Sequence, residues 1–281
     1  MIGVVGNLAD HIASCRYRVK IPREYSKYEW DNGPSDITIF TKFGTTPSDM
    51  NVPGVKLYDV CDDHFCTEKR QHLIEMIKKA DVVTCTNSYL KDRIQKETGR
   101  IAHIITDPVE YPTQSVCVGE PKRLLWFGQR PNLAGIQKII DELSFNYEVA
   151  VISDAIGYIP WSHENMRKYL DWCDVVIIPK GSTGPNAEAK SPNRMTESIN
   201  AGRFVVANPI PAYEGYGMYL GDIFEGLEWL QDNQQQALKK LMKAQQIVQK
   251  KHAPEAIASQ WDALFDSILL AEKSIGKVMS M

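Results

Sequence analysis

The densest group of chemically capable residues runs from Pro179 to Gly202, where Lys190, Asn193, Arg194 and Glu197 lie within eight positions. A Gly- and Ser-containing loop follows the apolar run Asp174 to Pro179, and a helix is expected to open near Pro192, a residue suited to a first turn. Backbone N–H groups at such a helix start, with the positive end of its dipole, favour an anion. Lys190 and Arg194 add full charges beside it. Glu197, about one turn inside, can accept hydrogen bonds from a neutral hydroxylated group. A solvated loop and helix face is the plainer reading of the same residues.

Two further groups invite chemistry. Asp59, Asp62, Asp63 and His64 fall at the end of an apolar run, and His64 with Asp62 are candidates for a general base or a substrate contact, a satisfied structural histidine being the alternative. The same acids could imitate a metal cluster, but nothing at metal-ligand spacing completes it, so no metal is expected. His11 follows the first apolar run and has a weaker claim, while His103, inside another, reads as core. Arg16, Lys20, Arg23 and Lys27 step by four, three and four, sharing one face if helical, with Arg18 nearby. Tyr17, Tyr25, Tyr28 and Trp30 interleave with them. This row is either a site for an anionic ligand or a solvated face partly neutralised by Glu24 and Glu29.

Positioning these groups requires strands that end where they begin. Ile2 to Gly6, Ile37 to Phe40, Val55 to Asp59, Asp81 to Thr86 and Ile101 to Ile105 read as strands, with helices expected over His72 to Lys79 and Tyr89 to Thr98 between a Ser88 cap and Gly99. Three prolines between Asp107 and Pro121 mark a linker. Alternation then restarts with strands at Arg123 to Gly128, Tyr147 to Ser153, Asp174 to Pro179 and Arg203 to Asn208, and a helix over Asn132 to Leu143. Ile257, Trp261, Leu264, Phe265, Ile268 and Leu269 form one face of a terminal helix. The expected class is therefore α/β, with two Rossmann-like domains whose parallel sheets face an interdomain cleft. Expected boundaries are residues 1–115 for the first domain, 116–254 for the second, and a helix at 255–281 packing back on the first domain.

Composition narrows the partners. The 281 residues are 43% hydrophobic and 24% charged, as in ordinary globular proteins. With 32 Lys plus Arg against 35 Asp plus Glu, the net charge is -3 and no global basic field draws the chain to nucleic acid or lipid. No stretch reads as a signal peptide or an integral membrane segment, and a cytoplasmic location is expected. Six cysteines without CxxC or zinc-like spacing read as reduced thiols.

The order Cys-Asp-Val-Val-Ile-Ile-Pro-Lys-Gly, then Lys190-Ser-Pro-Asn-Arg-Met-Thr-Glu197-Ser-Ile-Asn-Ala-Gly202-Arg-Phe-Val-Val-Ala-Asn, resembles the nucleotide-binding segment of group-1 glycosyltransferases of the GT-B type. Ser14-Cys-Arg16-Tyr-Arg18, Tyr58-Asp59-Val-Cys-Asp62-Asp63-His64, Ala80-Asp81 to Leu90 and Leu125-Trp-Phe-Gly128-Gln-Arg130-Pro-Asn132 resemble further segments of that family. The resemblance implies a hexosyltransferase-like enzyme moving sugar from a nucleoside diphosphate sugar to an acceptor hydroxyl. It also implies that Glu197 holds the ribose and that Lys190, Arg194 and Arg130 hold the diphosphate, with Gly128 and Asn193 in the donor site and Lys190 counted as catalytic. Many retaining members carry a second Glu eight positions earlier; here that position is Ala189, with Glu188 one step off. There is no Asp-x-Asp, and helix N–H groups with Lys and Arg can stabilise a diphosphate leaving group without a metal, so no cofactor is expected beyond the donor substrate. The acceptor is left open among a glycan, a lipid-linked sugar and hydroxymethylated DNA, with Arg16, Arg18, Lys20 and Arg23 on its side. A nucleotide-sugar epimerase and a non-catalytic nucleotide or sugar-binding protein remain alternatives.

Overall fold

The computed structural model describes residues 1–42, 44–133, 135–180 and 188–279. The chain divides into two compact units, Met1–Pro108 with Lys251–Met281, and Val109–Lys250.

In the first unit β1 (Ile2–Val5), β2 (Trp30–Asn32), β3 (Ile37–Phe40), β4 (Val55–Val60), β5 (Val82–Cys85) and β6 (His103–Ile104) form a parallel sheet of order β2-β1-β3-β4-β5-β6. Five of these strands fall on the Val- and Ile-rich runs of the sequence. β2 does not, because Trp-Asp-Asn at a sheet edge has one buried residue and no periodic pattern. Asn87, not Ser88, caps the helix Ser88–Thr98, its side chain accepting the Leu90 N–H, and Gly99 ends that helix at φ 74°. His103 is exposed on the edge strand and not in the core, since β6 is too short to be covered on both faces. The helix Pro254–Met279 buries Ile257, Trp261, Leu264, Phe265 and Ile268 in one cluster with Ile2, Val4, Trp30, Ile37 and Ile39.

Division between the units falls at Pro108, earlier than the expected residue 115, because Val109 and Tyr111 already belong to the second unit's core. The chain re-enters the first unit at Lys251, and the next residue, His252, donates from Nδ1 to the Asp107 carbonyl at 2.7 Å. Burial pushes the His252 pKa below its ordinary 6.5, outweighing the opposing influence of Asp107. A base with a depressed folded pKa contributes stability above its unfolded pKa, and that contribution is lost as pH falls through the folded value. The urea midpoint is therefore expected to fall between about pH 7 and about pH 5. His252→Asn, which keeps a donor for Asp107, should flatten this dependence; an unaltered slope would rule His252 out as its source.

In the second unit β7 (Arg123–Phe127), β8 (Glu148–Ser153), β9 (Ile159–Pro160), β10 (Val175–Ile178), β11 (Phe204–Ala207) and β12 (Tyr219–Leu220) form a parallel sheet of order β12-β11-β10-β7-β8-β9. All residues of β10 and β11 are buried, as continuous Val-Val-Ile-Ile and Phe-Val-Val-Ala runs in central parallel strands require. The Asn132 to Leu143 pattern resolves into two helices, Arg130–Leu133 and Gln137–Leu143. The chain runs from β7 outward to β9, then returns to β10 on the other side of β7. The β7/β10 junction is thus a switch point, with a crevice outside the carboxyl ends of the strands.

Of the six cysteines, Cys15, Cys85 and Cys173 are buried and all six are free thiols. Burial pushes Cys85 and Cys173 up to about 12, so both stay protonated.

Candidate functional site

The carboxyl edge of the second sheet gathers the expected donor residues. Gly128 follows β7, and its N–H donates to the Ile152 carbonyl at 3.0 Å; a Cβ there would come within 2.8 Å of the Trp126 ring, so only glycine fits. Arg130 is exposed at the next turn, its backbone N–H bound to the Asp154 carboxylate beyond β8. Beyond β10, the Lys180 N–H donates to Asn208 Oδ1 at 2.8 Å, joining the ends of β10 and β11. Lys180 Nζ pairs with Glu188 at 2.6 Å, so the carboxylate one step off the family position is held by a lysine beside it. The loop portion Gly181 to Ala187 lies outside the described residues. Lys190 is half-buried just before the helix Asn193–Asn200, whose N-terminal turn is capped by no side chain among the described residues. Asn193 Oδ1, in that turn, is buried and has no hydrogen-bond partner among the described residues, and Arg194 is half-buried beside it.

Glu197 is 1% exposed, deeper than a solvated face allows, and its Oε1 accepts the Glu110 N–H at 2.5 Å. The chain from Glu110 to Cys117 lies along the end of this helix as a strap. Asn200 Nδ2 donates to the Tyr111 carbonyl at 2.6 Å, Thr113 Oγ1 donates to Asn200 Oδ1 at 2.8 Å, and the Gln114 N–H donates to the Asn200 carbonyl at 3.0 Å. Gly202, at φ +69°, has its missing Cβ position 2.2 Å from the Ser115 carbonyl oxygen, so a side chain there would displace the strap. Glu110 and Asn200 were not identified from sequence. A signal for Asn200 existed, since a polar residue between Ile199 and Ala201 must find partners if buried.

In the first unit the carboxyl edge of β4 separates the acids by partner. Asp59 is buried and bound by Arg18; Asp62 pairs with Lys42; Asp63 accepts the Phe65 N–H at 2.9 Å and pairs with Arg93 at 3.2 Å. Each carboxylate is held by a different cation, so they do not converge as metal ligands would. His64 sits beside the Lys42–Asp62 pair with its Nε2 buried and without a hydrogen-bond partner among the described residues. Burial and then Lys42 push its pKa below 6.5 against Asp62, favouring the neutral imidazole. His11 is exposed between β1 and the turn Ala13–Cys15.

No family model matches the sequence, and no curated protein matches it. Solved structures do match. HepE from Anabaena, in complex with UDP and glucose, aligns at 12% identity and a TM-score of 0.67 over 95% of this chain and 99% of that one. The fold is GT-B. An alpha-glucosyltransferase in complex with UDP and a 13-mer DNA aligns at 10% identity and a TM-score of 0.63 over 95% of this chain and 98% of that one. TarM aligns at 14% identity and a TM-score of 0.62 over 82% of this chain, which spans about half of TarM, 54%.

Within this GT-B chain the expected row of acceptor-side cations does not form. Arg16 to Lys20 is a π-helical turn, so steps of four, three and four do not return to one face, and the following helix Ile21–Tyr25 stops before Lys27. Arg16 is buried, donating to the Asp10 carbonyl at 2.6 Å, and Lys20 pairs with Asp10. Lys27 pairs with Asp266 at 2.6 Å. Arg18, 2% exposed, is not on any acceptor surface: it donates to Asp59 at 2.7 and 3.0 Å, to Asp107 at 3.2 Å and to the Ile105 carbonyl at 2.5 Å. Of Arg16, Arg18, Lys20 and Arg23, Arg23 alone is exposed, and among the described residues it makes no ion pair. Tyr17 and Trp30 are core, Trp30 meeting Trp261 edge-on at 6.0 Å, and Tyr28 donates to Asp266 at 2.6 Å. Among the described residues no helix is long and apolar enough to cross a membrane.

Proposed function

We propose that this chain is a glycosyltransferase that takes a hexose from a nucleoside diphosphate sugar, with the donor held at the β7/β10 switch point of the second unit. The observation that carries this reading is the buried, backbone-anchored Glu197 on the helix Asn193–Asn200, with Lys190 and Arg194 at the start of the same helix. A carboxylate oriented by one N–H can accept from a ribose hydroxyl, while helix N–H groups and two cations suit a diphosphate. Two GT-B neighbours are solved with UDP bound, which supports a nucleoside diphosphate as part of the ligand. Departure of the sugar leaves charge on the diphosphate, which Lys190, Arg194 and Arg130 neutralise; in this reading no metal is required. His64, with a buried Nε2 and a pKa pushed down towards the neutral imidazole, is the first unit's candidate for a general base, and Asp62 fixes its surroundings through Lys42. The acceptor is a glycan, a lipid-linked sugar or a modified DNA; with Arg16 and Arg18 buried and Lys20 and Lys27 paired to Asp10 and Asp266, the Arg16 to Lys27 segment favours a neutral sugar hydroxyl over an anionic acceptor.

The test is a thermal-shift panel of nucleotides and nucleotide sugars, since a ligand at 100 times its Kd stabilises by about 2.7 kcal/mol, followed by donor turnover with and without EDTA. Donor hydrolysis or transfer that survives EDTA is expected; isomerised donor would mark an epimerase, and binding without turnover a sensor. Glu197→Ala should weaken binding of the cognate nucleotide about 10- to 100-fold, the worth of a charge-assisted hydrogen bond. Calorimetric titration of the folded variant checks it, and unchanged affinity would remove Glu197 from the site.

A further inference from the structure

We propose that Asn200 is a positioning residue for the nucleotide site, one that sets ribose discrimination by pinning the strap that orients Glu197. This rests on the reading of Glu197 as the ribose contact. Asn200 is 1% exposed at the end of the helix Asn193–Asn200, three residues from Glu197. Its side chain uses both its donor and its acceptor on the strap, reaching Tyr111 and Thr113. Gln245, on the helix Gln234–His252, closes the same connection from the other side: its Nε2 donates to the Gln114 carbonyl at 2.8 Å and to the Asn200 carbonyl at 3.1 Å. Glu110 adjoins Tyr111, so fixing the Tyr111 carbonyl fixes where the Glu110 N–H falls, and that N–H holds Glu197 Oε1. A carboxylate rotated by an unpinned strap still supplies negative charge but loses its aim at a hydroxyl. Discrimination then drops more than affinity for the rest of the nucleotide.

Asn200→Asp keeps the shape and removes the donor to Tyr111. Gln245→Ala removes the second pin from a partly exposed position and serves if the first variant does not fold. Calorimetry would compare UDP, GDP and ADP with their 2′-deoxy counterparts, using the pair whose ribonucleotide binds the wild-type chain most tightly. Wild type should favour the ribonucleotide about 10-fold or more. In either folded variant that ratio should fall at least about fivefold, with deoxynucleotide affinity changed by less than about twofold. A variant that loses thermal stability but keeps the wild-type ratio would show Asn200 to be structural and overturn the proposal alone. A wild-type ratio near unity, or no binding by any of the three, would overturn the ribose reading of Glu197 and the proposal with it.

Discussion

Arg18→Met is expected to destabilise the first unit by about 3 to 5 kcal/mol, the cost of leaving a buried carboxylate without its cation. Burial alone would raise the Asp59 pKa, but the charge and hydrogen bonds of Arg18, then the hydroxyl of Thr84 and the thiol of Cys61, hold it below its ordinary 3.8. Asp59 therefore contributes stability above pH 3.8, and that contribution is lost as pH falls through its folded value. Removing Arg18 reverses the sign, because burial then raises the Asp59 pKa and protonation relieves the unpaired charge. The destabilisation should thus shrink as pH is lowered from about 7 towards about 4. Arg18 also lies over the Trp261 ring at 5.2 Å and reaches Asp107, so the terminal helix should loosen with it. Urea titrations of both proteins across that pH range decide the matter; a loss under about 1 kcal/mol would mean the network is no stronger than a surface pair.

Lys190→Ala is expected to lower kcat by about 100- to 1,000-fold while nucleotide affinity falls far less, because charge on the leaving diphosphate grows in the transition state. Lys190 is half-buried immediately before the helix Asn193–Asn200, so in the proposed reading its ammonium and the helix dipole would act on the same diphosphate. Steady-state kinetics with the donor, set beside calorimetric Kd values for the nucleoside diphosphate, separates the two quantities. Equal losses in both would reduce Lys190 to a docking contact.

The sequence by itself determined the alternation of strands and helices, since parallel strands buried on both faces must be runs of Val, Ile and Phe, and β10 and β11 are such runs. It also determined the order of Lys190, Asn193, Arg194 and Glu197 after β10, because consecutive residues after a parallel strand have only one edge of the sheet to occupy. What it left undetermined was which charges face water. Arg16 and Arg18 have the residue type of a ligand-binding row, yet the π-helical turn and the acids at Asp59 and Asp107, 41 and 89 positions away from Arg18, put them inside. The short edges β2, β9 and β12 carry no periodic signal, because two or three residues cannot express one. The Glu110 to Glu197 and Asn200 to Tyr111 bonds join positions 87 and 89 apart. No local spacing encodes such a pairing; only the packing of the strap against the helix brings the partners within hydrogen-bond reach.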